Sequence, residues 1–174
     1  MTEWSCSQSR SILPPRSKRV DNLPHIRPAA REDLDALFAL DQACFRPGIA
    51  YSKTELRYFL FHPRSVSIVA EDESGIAGFA IVEFLFEEGR RISHIITIDV
   101  PATRRRSGIG RLLMEALLNS CRESEAAAVR LEVAVDNEAA IAFYQRLGFT
   151  QTGRMRGYYM GKLDALTMRL ALQG

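Results

Sequence analysis

The feature of this chain that most constrains its fold is the alternation of two hydrophobic periods from His25 onward. Apolar residues recur at helical spacing over 31–45 and 109–119, whereas they alternate with polar residues over 66–70 and 129–135. Such alternation of helix-period and strand-period segments along a chain is typical of a mixed α/β domain. Because a chain of 174 residues buries roughly two-thirds of its unfolded surface, such a domain needs no disulfide or structural metal.

Local signals divide this domain into helices and strands. Strands are predicted where apolar residues alternate or run on between turns, at 25–29, 66–70, 78–86, 92–100, 129–135, 149–154 and 163–170. Helices are predicted at 31–45, 53–61, 109–119 and 138–147. Ser52 and Glu55 form a capping box before the second helix, and Gly148 lies where a left-handed residue ends the fourth. Short turns join the three strands between 66 and 100, so these strands should form an antiparallel meander.

The first 23 residues differ from the rest. They contain five serines, the pair Pro14–Pro15 and four basic residues, without apolar periodicity. We predict a disordered tail at 1–23 and a folded domain at 24–174. The charges are not followed by the apolar run of a secretory signal. A mitochondrial presequence is the alternative, but Glu3, Asp21 and the prolines disfavour the amphipathic helix that it requires.

The charge balance and the cysteine content exclude some classes of function. The chain has 23 Lys and Arg against 21 Asp and Glu, and the tail holds the basic excess, so the domain is formally neutral. A neutral domain is not expected to bind a nucleic-acid backbone. The longest mainly apolar stretch, 75–86, is far shorter than the ~20 residues that span a bilayer, so no membrane association is expected. The three cysteines are odd in number and form no Cys-x-x-Cys pair, which fits reduced thiols in the cytoplasm.

The most informative segment, Ile98 to Arg111, is predicted to be a strand, a basic turn with two glycines, and a helix. Unpaired N–H groups at a helix start, the helix dipole and the glycines favour a bound anion such as phosphate. A solvated arginine run beside a helix cap is the alternative. The segment is not a P-loop, because Arg111 stands where that motif has lysine. It is not a dinucleotide fingerprint either, because Leu113 replaces the third glycine.

Two motifs follow one another in the chain: Arg105-x-x-Gly108-x-Gly110 after one strand, and the run from Asn137 to Phe149 after another. In this order they closely resemble the motifs of the GNAT superfamily of acetyl-CoA-dependent N-acetyltransferases. The resemblance extends over 25–172 and is strongest to the ribosomal-protein-alanine, or protein N-terminal, acetyltransferases. It implies the GNAT α/β (α+β) fold, with a mixed, mostly antiparallel sheet of six to seven strands flanked by about four helices.

The resemblance also implies acetyl-CoA as co-substrate and assigns residues to it. In the family, the backbone at positions matching Ile98, Asp99 and Val100 pairs with the pantetheine arm and acetyl group. The turn that cradles the pyrophosphate matches Arg105, Arg106, Ser107, Gly108, Ile109, Gly110 and Arg111. The family asparagine that contacts the cofactor matches Asn137.

The family's general base and general acid match Glu132 and Tyr144. A tyrosine is protonated at neutral pH and can donate a proton to a departing thiolate, which suits Tyr144. Glu132 alternates with the apolar Leu131 and Val133, so it points away from the core and could take the amine proton directly or through one water. An ordinary glutamate is a weak base, so burial is expected to raise its pKa. The alternatives are a core role for Tyr144 and, for Glu132, an exposed pair with an arginine such as Arg130 or Arg156.

The acceptor is less constrained than the cofactor. The subfamily usually has a compact Pro-Trp-Ser turn before the second helix, whereas this chain has a longer segment without tryptophan at 46–52. The first hypothesis is acetylation of a protein N-terminal α-amine; the alternatives are a small amine, a protein lysine, and an acetyl-CoA sensor without activity. His25, His62 and His94 form no ligand-spaced cluster, and no nucleophile arrangement is apparent, so we expect no metal and a direct transfer.

Overall fold

The computed structural model describes residues 24–172, which form a seven-stranded sheet with helices on both faces. The strands are, in chain order, β1 (His25–Pro28), β2 (Ser65–Asp72), β3 (Gly75–Glu87), β4 (Arg90–Asp99), β5 (Ala128–Ala134), β6 (Thr150–Tyr159) and β7 (Leu163–Ala171). Their order across the sheet is β1-β2-β3-β4-β5-β7-β6. The tail predicted at 1–23 lies outside the described residues.

Four α-helices connect these strands. They are α1 (Leu34–Cys44), α2 (Lys53–Phe61), α3 (Ile109–Glu123) and α4 (Glu138–Arg146). The capping box before α2 is confirmed, because the Ser52 hydroxyl accepts from Glu55 N–H and the Glu55 carboxylate accepts from Ser52 N–H at 2.9 Å. Gly148 follows α4 with φ of 91°, as predicted for a left-handed residue there.

Several element boundaries differ from the sequence predictions, and two of the differences have a clear cause. The first predicted helix begins with a 3-10 turn at Arg31–Asp33, because the Asp33 carboxylate accepts from Ala30 N–H at 2.8 Å and holds the entry of the chain. Strand β6 continues to Tyr159, beyond its predicted end at 154, and pairs with β7 in an antiparallel hairpin. Exposed side chains dominate β6, so the strand has little of the apolar alternation that a sequence-based prediction needs.

The sheet is antiparallel except at one junction. Strands β2, β3 and β4 form the predicted meander, and β5 pairs antiparallel with β7. Strands β4 and β5 are parallel and share only three residue pairs, the last of which is His94 with Arg130. Beyond that pair the two strands separate. The predicted mixed, mostly antiparallel sheet with four helices is therefore confirmed, and the separation of β4 from β5 positions the site described below.

Each face of the sheet has its own apolar cluster. On one face, α3 packs through Ile109, Leu113 and Leu117 against residues of β3, β4 and β5. On the other face, α1 and α2 pack against Phe79 and Ile81 of β3. In residues 24–172, none of the helices combines the length and the apolar composition that crossing a bilayer requires.

Candidate active site

A cavity opens where β4 and β5 separate. Its lining comes from the segment after α1, from β4, from β5, from α4 and from the end of β6. The residues that line it include Tyr51, Ile98, Glu132, Asn137, Tyr144 and Tyr159. The two predicted catalytic residues therefore line the same cavity as Ile98 and Asn137, which were predicted to contact the cofactor.

Glu132 is a buried carboxylate with partners on both oxygens. Its side chain is 8% exposed; Oε2 lies 2.5 Å from His94 Nε2, and Oε1 lies 3.4 Å from Arg130 Nη1. The alternative of an exposed pair with an arginine does not hold, because Glu132 is buried and Arg130 is its longer contact; no contact with Arg156 is found among the described residues. The partner that sequence reasoning missed is His94, which lies 38 residues away, on a strand whose register with β5 no local signal provides.

The pKa of Glu132 moves opposite to our expectation. Burial acts to raise it, but the hydrogen bond from His94 and the charges of His94 and Arg130 together lower it below the ordinary glutamate value. The expected increase is therefore wrong. Glu132 stays ionised at neutral pH and is ready to accept a proton, although as a weak base.

Tyr144 is placed by α4 between the core and the cavity. Its ring centroid lies 5.8 Å from that of Phe149 and 5.4 Å from that of Phe143, so the ring belongs to the packed cluster. The residue also lines the cavity. Burial, with the charges of Asp99 and Tyr159, raises the tyrosine pKa, so the hydroxyl keeps its proton at neutral pH. Tyr144 therefore serves the core and is chemically able to act as a proton donor.

The start of α3 has the features of an anion site. Gly108 caps the helix in the left-handed conformation, and the first intrahelical bond runs from Leu112 N–H to Gly108 C=O at 3.0 Å. The N–H groups of Ile109, Gly110 and Arg111 precede that bond and have no helical acceptor. A Cβ on Gly110 would meet nothing closer than 3.9 Å, so the packing of this chain does not require glycine there. Three free donors at a helix start, beside a glycine without a side chain, fit the pyrophosphate of acetyl-CoA.

The arginines of this turn differ in whether they are paired with another side chain. Arg104 is paired with Asp72, so it is tied to the fold rather than free for a ligand. Arg106 is exposed and has a φ of 61°. One arginine of this basic turn therefore stabilises the fold and is not available to bind a ligand.

The other two arginines of the turn make local contacts. Arg105 donates from Nε to the Val100 carbonyl at 3.1 Å, which holds its stem beside the end of β4. Arg111 pairs with Glu115, one helical turn further along α3, at 2.6 Å. Both residues have exposed surface, so their guanidinium groups stay within reach of an anion at the helix start.

The other predicted cofactor residues contribute mainly through backbone or local bonds. The Ser107 hydroxyl donates to a carbonyl of the turn at 2.6 Å, and the Ile109 side chain is buried in the α3 cluster. The Asn137 side-chain oxygen caps α4 by accepting from Ala140 N–H at 3.2 Å, which leaves its NH₂ group for the cavity. The Asp99 side chain is fully buried, so only its backbone could contact a ligand.

The segment between α1 and α2 is held across the cavity. Arg46 pairs with Asp136 of the β5–α4 turn at 2.5 Å, and the Tyr51 hydroxyl donates to a carbonyl of β4 at 3.2 Å. Gly48, with φ of 90°, lies directly under Met160 of the β6–β7 turn, where a Cβ would overlap the Met160 sulfur. The segment that departs from the family pattern therefore forms one wall of the site, here called the 46–52 wall, and contacts other elements.

Two buried carboxyl groups anchor this wall. Asp41 of α1 accepts from Tyr51 N–H at 2.9 Å and lies close to Asp99 of β4, which accepts from the Thr97 hydroxyl. Within the described residues, Asp41 Oδ1 and Asp99 Oδ2 have no donor of their own. One shared proton would satisfy both oxygens. Burial raises the pKa of Asp41 to about 6 and that of Asp99 to about 8, so the pair holds such a proton at neutral pH.

This pair should make stability depend on pH. The folded pKa of Asp99 lies above the ordinary carboxyl value, so wild-type stability should fall as pH rises from about 4 to about 8. We expect Asp99→Asn to raise Tm by about 5 °C at pH 8 and hardly at all at pH 4.5, because its NH₂ group replaces the shared proton permanently. Thermal unfolding at both values measures this, with the exposed Asp35→Asn as control. An equal gain at both pH values would contradict the shared proton.

Comparison with known proteins assigns the chain to a family. A sequence model of the acetyltransferase (GNAT) family matches residues 34–149. The chain belongs to this family. The GNAT chain is thus an N-acetyltransferase by family, as its resemblance implied.

Named acetyltransferases are among its relatives. N-alpha-acetyltransferase 30 of Schizosaccharomyces pombe is 34% identical over 116 residues, which cover 66% of this chain and 77% of that protein. The ribosomal-protein-alanine N-acetyltransferase of Escherichia coli K12 is 35% identical over 100 residues, which cover 56% of this chain and 65% of that protein, slightly less than two thirds.

Solved structures show the same fold. The Escherichia coli enzyme superposes with a TM-score of 0.75 at 27% identity, covering 86% of this chain and 96% of that one. Arabidopsis thaliana NAA60, solved in complex with acetyl-CoA, gives a TM-score of 0.74 at 21% identity over 86% of this chain and 99% of that one, a likeness of fold.

Proposed function

We propose that this GNAT enzyme transfers the acetyl group of acetyl-CoA to the N-terminal α-amine of a protein, with Glu132 as general base and Tyr144 as general acid. The observation that carries the proposal is the position of both residues in one cavity, at the divergence of β4 from β5. The identities of 34% and 35% to two N-terminal-type acetyltransferases support the acceptor class.

Acetyl-CoA would supply an activated thioester, held by the backbone of Ile98–Val100, by Asn137 and by the turn from Arg105 to Arg111. The amine forms a bond to the acetyl carbon as the carbon–sulfur bond breaks. Glu132 accepts the proton that the amine loses, and Tyr144 donates the proton that the thiolate gains. No covalent enzyme intermediate forms, and the protons balance once Glu132 releases its proton to solvent and Tyr144 takes one up before the next turnover.

The charge state of Glu132 favours an α-amine over a lysine. At pH 7.4, freeing an α-amine of pKa ~7.8 takes about 0.5 kcal/mol, whereas freeing a lysine of pKa ~10.4 takes about 4 kcal/mol. The pKa of Glu132 is lowered, so this carboxylate is poorly suited to deprotonating lysine. A weak base is sufficient for an amine that is already partly neutral.

Thiol release from acetyl-CoA tests the acceptor class. The substrates are peptides that begin with alanine or serine, the same peptides with a blocked N-terminus and a free lysine, and a panel of small amines. We expect turnover with free N-termini and at least 10-fold less with the blocked lysine peptides, because of the difference in amine pKa.

Other outcomes separate the alternatives. Turnover of a small amine beside silence on peptides would contradict the proposed acceptor and assign the 46–52 wall to a small-molecule site. Calorimetric binding of acetyl-CoA with no transfer to any amine would support a sensor and contradict the enzyme mechanism.

A further inference from the structure

Within the described residues, neither the His94 nor the Glu132 side chain makes a shorter contact than the one between them. His94 Nε2 and Glu132 Oε2 lie 2.5 Å apart, and the two side chains are 18% and 8% exposed. Nitrogen and oxygen at this distance must have a proton between them, because two bare acceptors would repel. The Nε2 atom of His94 therefore donates to Glu132.

The strand register explains why these two residues meet. His94 is the last residue of β4 that pairs with β5, opposite Arg130, and Glu132 lies two residues further along β5 on the same face. Glu132 lines the cavity, whereas His94 stands just behind the point where the strands separate. His94 thus supports the cavity-facing carboxylate from the closed end of the gap.

Charged and titratable groups of β5, β3 and β6 surround Glu132. Arg130 reaches Glu132 Oε1 at 3.4 Å and is itself held by Glu87 of β3 at 3.3 Å. On the side of β6, burial is the main cause that raises the pKa values of Tyr158 and Tyr159. The charge of Glu132 adds to this increase. Both tyrosines are therefore neutral near pH 7 and add no charge beside the carboxylate.

A second carboxylate, Glu83 of β3, faces the histidine. Glu83 is the cross-strand partner of His94. It lies 3.6 Å from His62 and 3.3 Å from Arg64, so its charge is engaged by other partners. Among all these groups, His94 alone is within short hydrogen-bond distance of Glu132.

Burial and the His94 hydrogen bond act in opposite directions on the pKa of Glu132. Burial of a carboxylate favours its neutral form, and the His94 hydrogen bond is the first of the effects that reverse this. If that bond is removed, Arg130 at 3.4 Å is left to compensate for burial. The pKa of the carboxyl group would then rise, and Oε2 would lose the contact that fixes its orientation toward the cavity.

We infer that His94 is the positioning residue of the general base: it donates to Glu132 Oε2, holds the buried carboxylate in place as a base, and leaves Oε1, whose contact with Arg130 is the longer one, to receive the amine proton. This inference rests on the proposed function in assigning the base to Glu132. His94 itself touches no reacting atom in this arrangement.

Two variants at one position separate a positioning role from packing. His94→Leu fills the space without a donor, and His94→Gln retains an N–H donor for the carboxylate. We expect His94→Leu to lower kcat/KM at pH 7 about 10-fold, because the carboxylate is no longer held in place, and to move the acidic limb of its pH profile to higher pH. We expect His94→Gln to keep the wild-type limb and at least a third of the wild-type rate. Equal profiles for the two variants, or an unmoved limb in His94→Leu, would overturn the inference.

A readout without turnover separates this inference from the proposed function. In protein labelled with ¹³C at glutamate carboxyls, and with Glu132→Gln used for assignment, the Glu132 signal should titrate at higher pH in His94→Leu than in wild type. This result is expected whichever amine is the acceptor. If wild type fails to acetylate peptides but the titration moves as described, the acceptor proposal is wrong and the His94 role stands. A titration unchanged in His94→Leu overturns the role of His94, and Tm values matched within about 3 °C show that the variants fold.

Discussion

Replacing Tyr144 by phenylalanine is expected to lower kcat about 100-fold, which is the lower end of what a positioned general acid contributes. The ring remains and can keep its packing against Phe143 and Phe149, so the fold should be preserved. The lost hydroxyl is the group that would protonate the leaving thiolate. KM for acetyl-CoA should change less than threefold, because the proposed role concerns proton transfer and not binding. Steady-state kinetics on the best peptide substrate measure both quantities.

Tyr159 provides the matched control. It lines the same cavity, and burial raises its pKa to about 12, so it is also protonated at neutral pH. Tyr159→Phe removes one hydroxyl from the cavity without touching the proposed acid, and we expect a change of kcat below fivefold. If the large loss appeared in Tyr159→Phe and not in Tyr144→Phe, the acid role would belong to Tyr159.

The second large effect is expected from Gly78→Ala in β3. A Cβ at Gly78 would lie 2.7 Å from the backbone oxygen of Asp99 and 3.2 Å from side-chain atoms of Ile109 and Leu113. Backbone cannot yield as a flexible side chain can, so β3, β4 or α3 must shift. Overpacking of this kind typically costs about 1–3 kcal/mol, and we expect Tm to fall by about 6 °C.

Gly110→Ala is the matched control, because it is expected to weaken acetyl-CoA binding without lowering stability. A Cβ there meets nothing closer than 3.9 Å, and alanine favours a helix more than glycine, so Tm should be unchanged or slightly higher. Glycine lets a ligand come close to the backbone, and an added methyl group would hinder the approach of the proposed pyrophosphate, so KM for acetyl-CoA should rise at least fivefold, roughly 1 kcal/mol of binding. Unfolding curves and acetyl-CoA titrations of both variants give the comparison. Unchanged acetyl-CoA binding in Gly110→Ala would contradict the placement of the pyrophosphate.

Local features of the fold could be predicted because their causes lie close together in the chain. The capping box of Ser52 and Glu55, the left-handed Gly148 and the meander of β2, β3 and β4 depend on residues or short turns that can be found by inspection. The family motifs then indicated the sheet as a whole. The extent of β6 was not predictable, because pairing with β7 rather than apolar alternation defines that strand.

The site was predictable only in part for the same reason. Glu132 and Tyr144 follow from motif positions, and both line the cavity. The two contacts that set the protonation of the site, His94 with Glu132 and Asp41 with Asp99, join residues far apart in the chain. Their pairing depends on which strands and helices become neighbours in space, and the direction of the Glu132 pKa depends on that pairing. The expected increase of that pKa was wrong because burial was considered without the partner.

The short junction of β4 with β5 makes the sheet two smaller sheets joined by three residue pairs. Past His94, the edge of β4 that faces β5 has backbone N–H and C=O groups with no strand of residues 24–172 beside them, in the interior of the molecule and not at its rim. Natural sheets protect such edges because any extended chain can add to them. Here the unpaired edge of β4 lies along the cavity, between α4 and the 46–52 wall. A ligand with amide groups along its length would complete the sheet as a removable strand.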